Sequence, residues 1–164
     1  MHEITGPALL VWLERSGFAQ AMREWLWLYP AVEIAHITGI VLLVGAAAMF
    51  DLRLLGVSRA LPVNQLARHL LPWSAAGLAL VAGTGLMMFS AHATEFWINP
   101  AFLVKMTLIV LAGLNALAFH AGVYRTVSGW NTGARAPATA KAAALASLLL
   151  WVGVIACGRL LAYL

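Results

Sequence analysis

Glu33 and His36 stand three positions apart within the apolar run 31–50, which is long enough to cross a bilayer. Side chains at that spacing are neighbours on a helix. An acid and an imidazole kept in hydrocarbon mark a site by default, because ionisable groups are expensive there. Lys105 and Arg159 fall inside two further apolar runs. An imidazole nitrogen ligates haem iron or a bare metal ion. A lysine and an arginine hold propionates, phosphates or a quinone oxygen. Glu-x-x-His is also the pair that carboxylate-rich metal bundles use in duplicate, and this chain carries one copy, Glu33 and His36.

Composition decides what must position these groups. The 164 residues are 63% hydrophobic and 10% charged, against about 25% charged in soluble domains. The mean hydropathy is +0.89. These values imply one integral membrane domain over 1–164, in contact with the lipid bilayer. The net charge of +4 resides in loops beside apolar runs, so it is not a nucleic-acid signal. Cys157 is the single cysteine, which excludes an intramolecular disulfide and a cysteine metal cluster. The opening MHEITGPALL lacks a basic n-region, so no cleavable signal peptide is expected.

Four segments reach the roughly 20 apolar residues a spanning helix needs. They cover about 28–50, 70–91, 101–123 and 142–163. None alternates like a barrel strand, so the fold class is all-α, a four-helix transmembrane bundle. Arg53, Arg59 and Arg68 follow the first span; Arg125, Arg135 and Lys141 follow the third. The second loop carries only Glu95. The positive-inside rule then makes the basic loops cytoplasmic and both termini periplasmic. Phe18, Met22 and Trp25 recur at helical spacing among Arg15, Arg23 and Glu24, which predicts an amphipathic surface helix over about 6–26. Trp97, Trp130, Tyr29 and Tyr163 suit interfacial positions, and 128–140 reads as a flexible turn. Pro72 is a candidate kink in the second span.

Counting at ~1.5 Å per residue places the groups in depth. Glu33 and His36 fall roughly 5 to 12 Å from the non-cytoplasmic boundary, with Lys105 and Arg159 at roughly 6 to 7 Å. His92 lies at the rim, one turn from Met87 and Met88. The leading expectation is haem b on His36, with Lys105 and Arg159 on its propionates and Met87, Met88 or His92 as a second ligand. Glu33 and His36 as a metal pair, or Lys105 and Arg159 around a quinol oxygen or lipid phosphate, are the alternatives. The plain structural reading is that Glu33 pairs with Lys105, Arg159 snorkels, and His36 bonds a carbonyl. His69 and His120 form a second candidate group toward the cytoplasm. His36 and His120 differ in depth by roughly 15 to 20 Å, too far for one haem. Asn115 in the third span needs an interhelical partner. Asp51 and Arg53 read as interface anchors, and Cys157 as a packing residue.

The segments WLYPAVEIAHITGIVLLVGAAAMFDLRLLG, NPAFLVKMTLIVLAGLNALAFH and GRLLAY resemble an uncharacterised family of small four-helix bacterial inner-membrane proteins. The resemblance runs from Trp27 to Tyr163 and implies that topology and membrane. In size and histidine-bearing helices the chain is more loosely similar to b561-type cytochromes. The functional expectation is a haem b electron-transfer protein or the cytochrome-like subunit of a redox complex, partnered by quinone or other subunits. Its rival is a cofactor-free structural or assembly subunit. A lone transporter is a third reading, disfavoured by the lack of an inverted repeat.

Overall fold

The computed structural model describes residues 6–161 and Tyr163; position 162 of the expected fourth span lies outside the described residues. The elements, in order, are α1 (Ala8–Glu14), α2 (Gly17–Glu24), α3 (Leu28–Leu55), α4 (Val63–Ala91), α5 (Ala93–Ile98), α6 (Pro100–Ala121) and α7 (Ala138–Leu160). A 3-10 helix, Val123–Gly129, follows α6. No strand occurs among the described residues. α3, α4, α6 and α7 are long and apolar enough to cross a membrane, so this is a multi-pass membrane protein.

The helices begin and end for local reasons. Gly56 terminates α3 in a left-handed turn (φ 114°), with its N–H on the Arg53 and Leu52 carbonyls. At the start of α6, Pro100 takes the first helical position while Asn99 Oδ1 accepts from Ala101 N at 2.9 Å and Phe102 N at 3.2 Å. α4 runs unbroken through Pro72 and starts seven residues before the apolar run expected from 70. Its extra turns are capped from afar: Asn131 O accepts from Val63 N, and Asn131 Oδ1 from Asn64 N, both at 2.9 Å.

α3 and α4 form the closest pair in the bundle. Their backbones meet where Gly39 faces Gly77. A Cβ on Gly77 would lie 2.6 Å from Leu43 N and 2.8 Å from Gly39 O. Small residues at such a crossing permit the dispersion contact that holds helices together in lipid. α7 packs against α6 on one side and α3 on the other. α4 and α6 touch through the stacked rings of Phe89 and Phe102 (5.5 Å) near the capped end and pack little on each other elsewhere among the described residues.

The end with the basic loops is a folded unit. Leu54, Val63, Phe119, Trp130, Ala140 and Ala144 form one apolar cluster. Trp130, expected at the membrane interface within a flexible turn, is 6% exposed and belongs to this core. Arg53, expected to anchor at the interface, is 2% exposed. Its guanidinium donates to Leu61 O (2.7 Å), Arg59 O (3.1 Å) and Asn131 O (3.2 Å). Charge-assisted bonds of this kind contribute about 1.5–3 kcal/mol each. The two basic loops are thereby tied to each other.

The opposite end is capped. The single surface helix expected over 6–26 divides into α1 and α2 at Ser16, whose Oγ accepts from Ala19 N at 3.2 Å. Two of its charges close the cap. Glu14 is 5% exposed, and its Oε2 accepts from Thr94 N (2.9 Å) and Thr94 Oγ1 (2.7 Å). Arg23 donates to Ala91 O (2.8 Å) and Glu14 O (2.9 Å). Met22 is buried against Val32 and Ala91. The amphipathic character survives in the outward Phe18 and Trp25.

Candidate functional site

α3 brings His36 to α4. Its Nδ1 lies 2.9 Å from Thr84 Oγ1. The Thr84 hydroxyl donates its single proton to Leu80 O at 2.6 Å, so Oγ1 accepts from the imidazole Nδ1–H. That network assigns the proton to Nδ1 and leaves the Nε2 lone pair bare. Gly85 admits the ring: a Cβ there would stand 3.2 Å from His36 Cε1. The Gly39/Gly77 crossing holds the two helices close enough for this contact to form.

Lys105 rises from α6 at the same end of the bundle. It is half-buried, and its Nζ would be 3.7 Å from a Cβ on Gly158 of α7. No hydrogen bond or ion pair to Lys105 occurs among the described residues. Its charge reaches the His36 ring. An imidazole with an open nitrogen and an unpaired ammonium thus share the bundle interior near the capped end.

The other candidates at this end lie elsewhere. Glu33 is exposed on α3 and makes no ion pair with Lys105 among the described residues. The 60° of rotation between positions three apart is enough to turn His36 inward and Glu33 outward. No group of three His, Cys, Asp or Glu side chains able to hold a metal surrounds either residue among those described. Arg159 is exposed, donates to Tyr163 Oη and lies 4.8 Å from that ring's centroid, the arrangement of a snorkelling side chain. His92 ends α4, pairs with Glu95 at 3.4 Å and meets Tyr29 edge-on at 6.4 Å. Met87 and Met88 pack against the Met22 cluster. Of four charges expected to converge, two reach the interior.

Toward the basic end, His69 is exposed on α4. His120 ends α6, half-buried between the edges of Phe119 (5.2 Å) and Tyr124 (5.1 Å). Asn115 Nδ2 donates to Ala143 O at 2.9 Å and joins α6 to α7. The residue that sequence reasoning misplaced here is Asp51. It is 6% exposed, faces the bundle interior, and its Oδ2 has no hydrogen-bond partner. A signal was present: Leu43, Ala47, Asp51 and Leu54 recur at helical spacing and share the inward face of α3.

A family model matches residues 10–164, from the cap through the last span. The chain belongs to DUF6644, a family of unknown function. The match takes in most of the capping helices and all four spans. No curated protein and no solved structure matches the chain.

Proposed function

We propose that this protein binds haem b through His36 Nε2 and transfers electrons within a membrane. The supporting observation is the His36–Thr84 bond, which orients the ring and leaves Nε2 as the ring's acceptor. Ligating histidines characteristically have their second ring nitrogen held this way. When bound, haem supplies a one-electron couple, and the chain supplies its position and electrostatics.

The donor set offers a single haem one protein ligand at this level. His92 is engaged with Glu95, and Met87 and Met88 lie in the cap cluster. Lys105, inward and unpaired among the described residues, is suited to a propionate; Arg159, held by Tyr163, sits nearer the rim. The loosely packed side between α4 and α6, below the Phe89–Phe102 stack, would give a flat group access from the lipid. The basic loops at one end favour a bacterial inner membrane with both termini periplasmic.

Purified protein supplied with haem should show a Soret band that shifts with dithionite, and His36→Ala should lose it. A colourless preparation, or an unchanged band in His36→Ala, would remove the proposal. A docking subunit without cofactor is the second reading. It is favoured by the exposed Trp12, Trp25, Leu26, Trp27 and Trp97 around the capped end.

A further inference from the structure

A second interior space lies below the His36 level, toward the basic end. All four spanning helices line a cavity of about 320 Å³. Its walls are mostly apolar: Phe50 of α3, Leu78 of α4, Phe119 of α6 and Trp151 of α7 are among them. Small residues, Ala47, Ala112 and Gly113, keep it open. Asp51 projects into this space at 6% exposure with Oδ2 unpartnered, and Ser147 stands beside the carboxylate. Asn115 also lines it, and with its Nδ2 given to Ala143 O its Oδ1 remains an acceptor.

A buried acceptor without a donor is costly, so this one marks a place where a ligand brings the donor. Three features narrow the ligand. The volume holds a substituted six-membered ring and excludes a porphyrin. Hard cations such as Ca2+ and Mg2+ want six or more oxygens, and no group of three His, Cys, Asp or Glu able to hold a metal exists among the described residues. Below the Phe89–Phe102 stack α4 and α6 pack little on each other, so access is from the bilayer, which favours a neutral, apolar body. We infer that this cavity binds the ring of a membrane-soluble phenol or hydroquinone, whose hydroxyl donates to Asp51 Oδ2 while the aromatic walls cover its faces. The site is separate from His36 and does not depend on haem.

The test uses the full-length protein in lipid nanodiscs, titrated with a decyl-substituted benzoquinol by calorimetry. Saturable binding near one per chain is expected. Asp51→Leu keeps the branched shape, replaces both oxygens by methyl groups and relieves a buried unpartnered atom, so it should fold at least as well and bind at least ten-fold more weakly. Gly113→Leu adds bulk at the cavity wall and should also weaken binding; a Cβ at Gly113 meets nothing within 4 Å. Methylating both quinol hydroxyls should lose the affinity that Asp51→Leu loses. Equal binding by wild type and Asp51→Leu, equal binding of the dimethyl ether, or no saturable binding would overturn the inference. Tighter binding of decylammonium than of the quinol would identify a cation site and overturn it as well. His36→Ala should leave the titration unchanged, which separates this outcome from that of the haem proposal.

Discussion

Replacing Gly77 by Ala should pry α3 from α4 and break the His36 site from a distance. The added Cβ would lie 2.6 Å from Leu43 N, 2.8 Å from Gly39 O and 3.0 Å from Leu43 Cα. All three are backbone atoms, so no side chain can rotate away. Ordinary contact begins at 3.4 Å, which requires the helices to separate by about 0.8 Å. Overpacking of this kind costs about 1–3 kcal/mol, and an all-backbone clash belongs at the upper end. Thr84 lies two turns along α4 from Gly77, and the same displacement would stretch its 2.9 Å bond to His36 to about 3.7 Å, beyond hydrogen-bonding range. Thermal unfolding in detergent should register the lost stability. Gly83→Ala and Gly45→Ala are the controls, since a Cβ at either meets nothing within 4 Å. If Gly77→Ala unfolds at the same temperature as these controls, the close crossing does not hold the pair together and the reasoning fails.

Thr84→Val preserves shape but removes the oxygen that orients His36. It should lower stability by about 0.6–1 kcal/mol and, where haem is bound, weaken haem affinity about ten- to hundred-fold; unchanged haem titration would argue that the bond is helix glue alone. Glu14→Ala strips Thr94 of two hydrogen bonds to a buried carboxylate and should loosen the cap by about 2–3 kcal/mol, read as faster amide exchange in α1 and α5. Equal exchange rates would show the cap is held by its apolar contacts. For topology, a C-terminal alkaline phosphatase fusion should be active and a C-terminal green fluorescent protein fusion dark; the reverse pattern would invert the assigned orientation.

Much of this architecture was legible in the chain. Four apolar runs, a basic loop after the first and third, and an acid-bearing loop between the second and third give an all-helical, multi-pass bundle without further information. Asn115 had to find an interhelical partner, and did in Ala143 O. Loop folding was not legible. Trp130 and Arg53 look like interfacial anchors until Asn131, 78 positions from Arg53, supplies the carbonyl that makes one of them a clasp. Likewise nothing local to Glu14 and Arg23 names Thr94 and Ala91, 80 and 68 positions on, as their partners.

Depth in the bilayer follows from counting residues, and the chain therefore revealed that Glu33, His36, Lys105 and Arg159 lie near one end. Which of them look inward was decided only by packing. In water an amphipathic stripe announces a helix's buried face; in lipid the surroundings are as apolar as the core, and no stripe is required. The rotation of α3 is instead set by where Gly39 and Gly77 allow two backbones to touch. That rotation carries His36 onto Thr84 and Asp51 into the cavity, and it leaves Glu33 outside.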